Sequence, residues 1–122
     1  MSYQIEMVRG TTSVQLIRLL EDSEPYILSS DEYLRFGVKE AGYNKRLLIN
    51  KKFTSVDQDP ETGFIEFKIM PNETANWPVK TYKYDIGLQS GEDYFVVIPE
   101  SDLILKQNIT NYTEEWYNAM PN

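Results

Sequence analysis

The sequence contains no cysteine and no histidine. The first absence excludes disulfides, a thiolate nucleophile and any cysteine-bound metal. The second removes the side chain most used as a general base near neutral pH, and the commonest metal ligand. A Ser-His-Asp triad, a Cys-His dyad and a histidine zinc site are therefore ruled out. Long apolar runs are also missing, and none approaches the roughly 20 residues of a membrane-spanning helix. The opening MSYQIEMVRG lacks the apolar core of a secretory leader, so the expectation is a soluble chain made without a cleaved signal. Cations are scarce: 12 Lys and Arg face 19 Asp and Glu, a net charge of −7. A surface of that sign repels phosphate backbones, so neither nucleic acid nor membrane is expected as a partner. Lys45, Arg46, Lys51 and Lys52 cluster in sequence, and they read as the solvated face of a strand.

What is present is β-rich. The 122 residues suit one domain, and a chain of this size buries roughly 65% of its unfolded surface, enough for a core without staples. Segments of high β-propensity recur at intervals of about ten residues, the spacing of a sandwich or barrel. In VKTYKYDIGLQSGEDYFVVIP, Tyr82, Tyr84, Ile86 and Leu88 alternate with polar residues, and Gln89–Asp93 supplies a turn before Tyr94–Ile98 runs back. Leu34, Phe36 and Val38 alternate in the same way within Tyr33–Lys39, as do Ile65, Phe67 and Ile69 within Phe64–Met70. Other strands are expected over Tyr3–Val8, Thr12–Leu20, Arg46–Phe53 and Leu103–Ile109. The acidic stretch Glu21–Pro25 turns the chain. A short helical turn is expected near 72–77, with Asn72 as its cap, Glu73 near its positive end and Pro78 closing it. The fold class is thus all-β: an antiparallel sandwich of 7–8 strands over residues 1–110, followed by a C-terminal tail over 111–122.

Few residues point to chemistry. Asp57, Asp59 and Glu61 alternate before Gly63 as in a calcium loop, but Thr62 stands where the glycine belongs and Lys68 where the bidentate glutamate belongs. A hairpin connection fits better, and no metal is expected. Paired carboxylates can hydrolyse glycosides, yet among 19 acidic residues nothing marks a tuned pair. No catalytic residue and no cofactor is assigned. Three Asn-X-Thr triplets begin at Asn72, Asn108 and Asn111, and they read as polar residues at element ends. Tyr112, Trp116 and Tyr117 sit in a polar tail, where they either fold back on the sandwich or dock on a partner.

The ordered motifs carry a resemblance. They are Met7-Val8-Arg9-Gly10-Thr11-Thr12, Leu34-Arg35-Phe36-Gly37-Val38-Lys39, Gly63-Phe64-Ile65-Glu66-Phe67, Glu73-Thr74-Ala75 and Tyr82-Lys83-Tyr84-Asp85-Ile86-Gly87-Leu88. Val97-Ile98-Pro99 and Leu105-Lys106-Gln107-Asn108-Ile109-Thr110 complete the series. Over residues 5–110 the chain resembles the N-terminal immunoglobulin-like domain of the phage baseplate upper protein family, from phages and prophages of Gram-positive bacteria. The resemblance implies an immunoglobulin-like sandwich in a virion tail or baseplate, assembled in the host cytoplasm. It implies no reaction and no cofactor, only protein–protein contacts with other tail proteins and with further copies in a symmetric assembly. The edge strand and the tail are the expected contact elements: Tyr3, Ile5, Tyr112, Trp116 and Tyr117. The rival expectation is a carbohydrate-binding module using exposed tyrosines on cell-wall glycans.

Overall fold

The structure, a computed structural model, describes residues 3–43 and 45–108. The strands are β1 (Ile5–Val8), β2 (Ser13–Arg18), β3 (Leu20–Glu21), β4 (Glu24–Pro25), β5 (Glu32–Lys39), β6 (Leu47–Thr54), β7 (Phe64–Ile69), β8 (Thr81–Ser90) and β9 (Asp93–Lys106). A 3₁₀ turn covers Ser55–Asp57, and one helical turn, α1, covers Pro71–Thr74. Five strands form the larger sheet in the order β1-β9-β8-β5-β6, β2 and β7 form a second sheet, and β3-β4 is a small ribbon.

The alternation in the sequence decides which faces meet. Leu34, Phe36 and Val38 of β5 and Tyr82, Tyr84 and Ile86 of β8 point inward and are buried. Ile65, Phe67 and Ile69 of β7 meet them from the other sheet, together with Ile17 of β2. Phe36 packs on Phe67 at 4.9 Å between ring centres and on Tyr84 at 5.6 Å, and Phe53 packs on Phe67 at 4.8 Å. Each of these side chains withdraws enough apolar surface to contribute roughly 1.5–3 kcal/mol. An isolated two-stranded sheet is marginal in water, so β2-β7 exists because this face holds it.

Tyr82 identifies the sandwich type. It lies at the start of β8, just after the α1 crossover, and its hydroxyl donates to the carbonyl of Pro78 at 2.6 Å. A tyrosine bonded back to the chain a few residues upstream, at this corner, is a hallmark of immunoglobulin-like sandwiches. Tyr84, two residues on, takes the core position that antibody domains give to a disulfide cysteine.

Several expectations need correction. The larger sheet is mixed: β1 runs parallel to β9, with Ile5 beside Leu103 and Val8 beside Lys106. The chain leaves β1 through Gly10 for the opposite sheet, so it never makes the hairpin that would reverse it. Thr12–Leu20 divides, because after Arg18 the chain enters the β3-β4 ribbon. Asp22 and Ser23 both take positive φ at its tip, the geometry of a type I′ turn. The expected strands Tyr94–Ile98 and Leu103–Ile109 belong to one strand, β9. Two register shifts opposite Tyr84–Gly87 absorb the extra residues around Pro99, which has no N–H to offer a ladder. The helical turn starts earlier than expected. Pro71 occupies its first position, and the Glu73 carboxylate accepts the Met70 N–H at 2.9 Å, so Asn72 is not the cap.

Two variants test this core. Phe36→Ala should lose about 3–5 kcal/mol, since it empties a site touching both sheets. Tyr82→Phe should lose about 1 kcal/mol, since it keeps the ring and removes one hydrogen bond. Urea denaturation should show lower midpoints with an unchanged slope for Tyr82→Phe.

Candidate interaction surface

The polar groups that looked chemical in the sequence are turned onto the backbone. Asp57 accepts the Thr54 N–H at 2.9 Å, and Asp59 accepts the Glu61 N–H at 2.9 Å. Backbone bonds from Glu61 and Thr62 hold the Asp59 carboxyl below its ordinary range. These contacts close a turn and leave the carboxylates facing their own loop. Among the described residues, no group of three or more acidic residues is placed to hold a metal. The basic cluster is divided among partners. Lys51 pairs with Glu73 at 3.0 Å, Lys45 with Glu40 at 3.8 Å, and Lys52 sits over the Tyr33 ring at 4.1 Å. Asn108 is buried and donates to the Arg9 carbonyl, so its triplet is not presented for modification.

One buried acid stands out. Glu32, at the start of β5, accepts the Tyr26 hydroxyl at 2.7 Å and the Ser29 N–H at 2.9 Å. Burial by itself would raise its pKa. The bonds from Ser29, Tyr26 and Ser90 outweigh that and hold it below the ordinary range. A general acid for glycoside cleavage needs the opposite shift. The hydrogen bond to Glu32 in turn pushes the Tyr26 phenol up to about 12, with burial adding to it. Gln58 completes this end of the sandwich. It accepts the Leu28 N–H at 2.8 Å and donates to the carbonyls of Tyr26 and Gly63, both at 2.9 Å. These bonds tie two loops together.

The unusual feature is apolar. Along β9, Tyr94, Phe95 and Val96 are exposed, as are Val14 and Leu16 on β2 and Leu20 on β3. The sequence presented Tyr94–Ile98 as the β-rich returning strand of a hairpin. A continuous apolar run of that kind is normal for a strand covered on both faces; here the two-stranded partner sheet leaves the inward Phe95 open, and Tyr94 and Val96 lie on the outer face. The signal for β2 was apolar residues on both of its faces: Ile17 inward, Val14 and Leu16 outward. Of the expected contact residues, Tyr3 is exposed and Ile5 is partly buried in the edge strand β1. Tyr112, Trp116 and Tyr117 lie outside the described residues. The exposed aromatics give no flat sugar platform on β9. Tyr94 and Phe95 are neighbours on one strand and point to opposite faces, and Tyr94 lies over Gly87, where a methyl group would collide with its ring.

No family model matches the chain, and no curated protein matches it. Among solved structures, the N-terminal domain of phage TP901-1 ORF48 aligns with 86% of this chain and 84% of that chain, at 10% identity and a TM-score of 0.41. A likeness at that score carries no argument about function.

The Glu32–Tyr26 pair sets a pH dependence. The depressed Glu32 pKa contributes stability above the ordinary carboxylate value of 4.5, which is lost as pH falls through its lower folded value. The raised Tyr26 pKa contributes stability that is complete below 10 and is lost as pH rises towards about 12. Glu32→Gln should abolish the acid-side contribution. It should also bring one tyrosine from about 12 back towards 10, read as tyrosinate absorbance in a spectrophotometric titration.

Proposed function

We propose that this chain is a non-enzymatic structural component of a bacteriophage or prophage tail or baseplate, acting through contacts with other tail proteins and with further copies of itself. The observation that carries the reading is the set of exposed apolar side chains on two strands, Tyr94, Phe95 and Val96 on β9 and Val14 and Leu16 on β2. Exposed apolar surface concentrated on strand edges marks a docking surface. The motif resemblance over residues 5–110 supplies the setting. In this reading, residues 1–110 form the sandwich and 111–122 a docking segment. Tyr3 and Ile5 on the edge and Tyr112, Trp116 and Tyr117 in the segment make contacts. The negative surface suits protein rather than nucleic-acid partners. Each contact is weak alone and gains strength from symmetric repetition.

Deleting residues 111–122 should leave the circular dichroism spectrum and unfolding midpoint unchanged while weakening association in sedimentation velocity. Immunogold labelling of particles from an induced lysogen should place the protein on the tail. Complete, infectious tails assembled without the protein would overturn the proposal.

A further inference from the structure

The two sheets do not close along their whole length. The first half of β9 bonds to β8 alone, because β1 covers β9 only at Leu103–Lys106. Among the described residues, β2 pairs only with β7. A groove runs between these two uncovered edges. Its narrower part, about 200 Å³, lies beside Ile5 and Leu16. Its wider part is a cleft of about 600 Å³, within the size range of ligand pockets. One side of this cleft is apolar, formed by Leu19, Leu88, Phe95 and Val97. Phe95 pairs with the inward-facing Leu88, yet it is 54% exposed, so the smaller sheet leaves an aromatic ring uncovered there. The other side is acidic. It carries Glu21 and Glu32, with the Tyr26 hydroxyl donating to Glu32.

Glu32 is a charge held out of water without a counter-charge. Only 6% of the residue is exposed, and its donors Tyr26, Ser29 and Ser90 are all neutral. The ion pairs among the described residues use Glu6, Glu40, Glu73 and Asp102, and none includes Glu21 or Glu32. Arg18, the cation on the cleft wall, lies over the Phe64 ring, 4.7 Å from its centre. Neutral donors keep the Glu32 carboxylate ionised but leave its charge uncancelled. A cation arriving in so enclosed a place is attracted more strongly than at an open surface. The surroundings reinforce the sign. Residues 19–34 carry Glu21, Asp22, Glu24, Asp31 and Glu32 and no lysine or arginine, and residues 88–98 carry Glu92 and Asp93 and likewise no cation. Glu32, Ser90 and Asp93 stand side by side across the sheet, so both segments meet at this end of the fold.

We infer that this cleft is a docking site for an arginine side chain of a basic partner protein. The methylene stem of arginine suits the wall of Leu19, Leu88 and Val97. Its planar guanidinium pairs with carboxylates, stacks on aromatic faces and sheds water more readily than an ammonium. Glu21, Glu32 and Phe95 supply both kinds of contact in one place. The partner is a protein because the apolar surface continues past the cleft. Leu20 beside it, and Tyr94 and Val96 on the same strand as Phe95, are exposed, and a free cation leaves them uncovered. A second copy suits the site poorly, because two chains of net charge −7 bring like charges together at this end. This inference rests on the assembly role proposed above and states the chemistry of the partner that meets it.

The test titrates the isotope-labelled full-length protein, followed by nuclear magnetic resonance, with the peptide acetyl-Leu-Arg-Leu-amide and with its lysine and citrulline counterparts. Citrulline keeps the shape of arginine and removes its charge. The arginine peptide should move the amide signals of Glu32, Leu88 and Phe95 and bind at least about tenfold more tightly than the citrulline peptide. The lysine peptide should fall between them. Phe95→Ser and Glu21→Gln change exposed side chains, so both should keep the wild-type circular dichroism spectrum. Each should weaken binding of the arginine peptide by about fivefold or more. Glu32→Gln should bind the arginine and citrulline peptides alike, and if it fails to fold the two exposed variants decide. Equal binding of arginine and citrulline peptides by the wild type overturns the inference, as does wild-type affinity in both exposed variants. Signals that move instead around Asp57–Glu61 mark general attraction to an acidic surface and overturn it too. A lysine peptide that binds as tightly overturns the choice of arginine. Self-association of the wild type that Phe95→Ser abolishes gives the cleft to a second copy and overturns the choice of partner. None of these outcomes touches the placement of the protein on the tail, so the assembly role stands or falls by the labelling and tail-assembly experiments.

Discussion

Phe36 is the contact on which the two sheets depend. It is fully buried in β5 and meets Phe67 across the sheet interface and Tyr84 beside it. A chain without cysteine cannot bolt such an interface with a disulfide, so interdigitated aromatic rings do the joining. The consequence is asymmetric. The larger sheet has five strands and its own ladders, while β2-β7 is a ribbon that stays flat against its neighbour only through Ile17, Ile65, Phe67 and Ile69. The exposed strands described above sit on the side of the molecule where this ribbon runs out.

Polar groups secure the two ends of the sandwich rather than its middle. At one end Glu32 and Gln58 gather the 26–29 and 58–63 loops. At the other, the Gly10 N–H reaches the buried Thr74 hydroxyl at 2.9 Å, and Arg9 reaches the Trp77 carbonyl at 3.3 Å. Among the described residues no buried side-chain polar atom lacks a partner. Buried hydrogen bonds satisfied in this way specify one arrangement of the loops, because each alternative leaves a group desolvated and unmade. The loops therefore hold the sheet ends in fixed positions and so define where the open edges lie.

Much of this was legible in the sequence, for a definite reason. Leu34-Arg35-Phe36-Gly37-Val38, Phe64–Ile69 and Tyr82–Ile86 each bury one face, so their period-2 pattern reported the core directly. The reading failed where pairing rather than pattern decides. Nothing local to Ile5–Val8 says that its neighbour is residues 103–106 in parallel, a contact across almost the whole chain. Nothing local to Tyr94–Val97 says that the opposing sheet stops short. In Arg46–Phe53 the apolar run Leu47-Leu48-Ile49 does not by itself say which face turns inward. The register shift at Val38/Lys39 settles it by burying Ile49 and sending Leu47 outward to pack over Gly37. The expected edge contacts Tyr3 and Ile5 were legible from position alone, whereas the groove beside them depends on a strand count.

The treatment of the sheet edges separates chance exposure from design. Exposed edges invite pairing with other chains, and proteins blunt them with charge, brevity, bulges or cover. β1 is four residues long, and its Glu6 pairs with Lys106 at 2.9 Å. β6 carries Lys51 and Lys52 and a register irregularity against β5. The far side of β7 is closed by the bridge from Gln58 to Ile65 and by the Asp59 N–H donating to the Phe64 carbonyl at 2.8 Å. Among the described residues β2 has none of these protections until Arg18 at its end, and its outward positions are Val14 and Leu16. β2 and the first half of β9, which β1 does not cover, thus keep apolar side chains exposed at unpaired edges while β1, β6 and β7 are blunted. Edges left open among guarded ones are where a sheet of this kind can meet another protein.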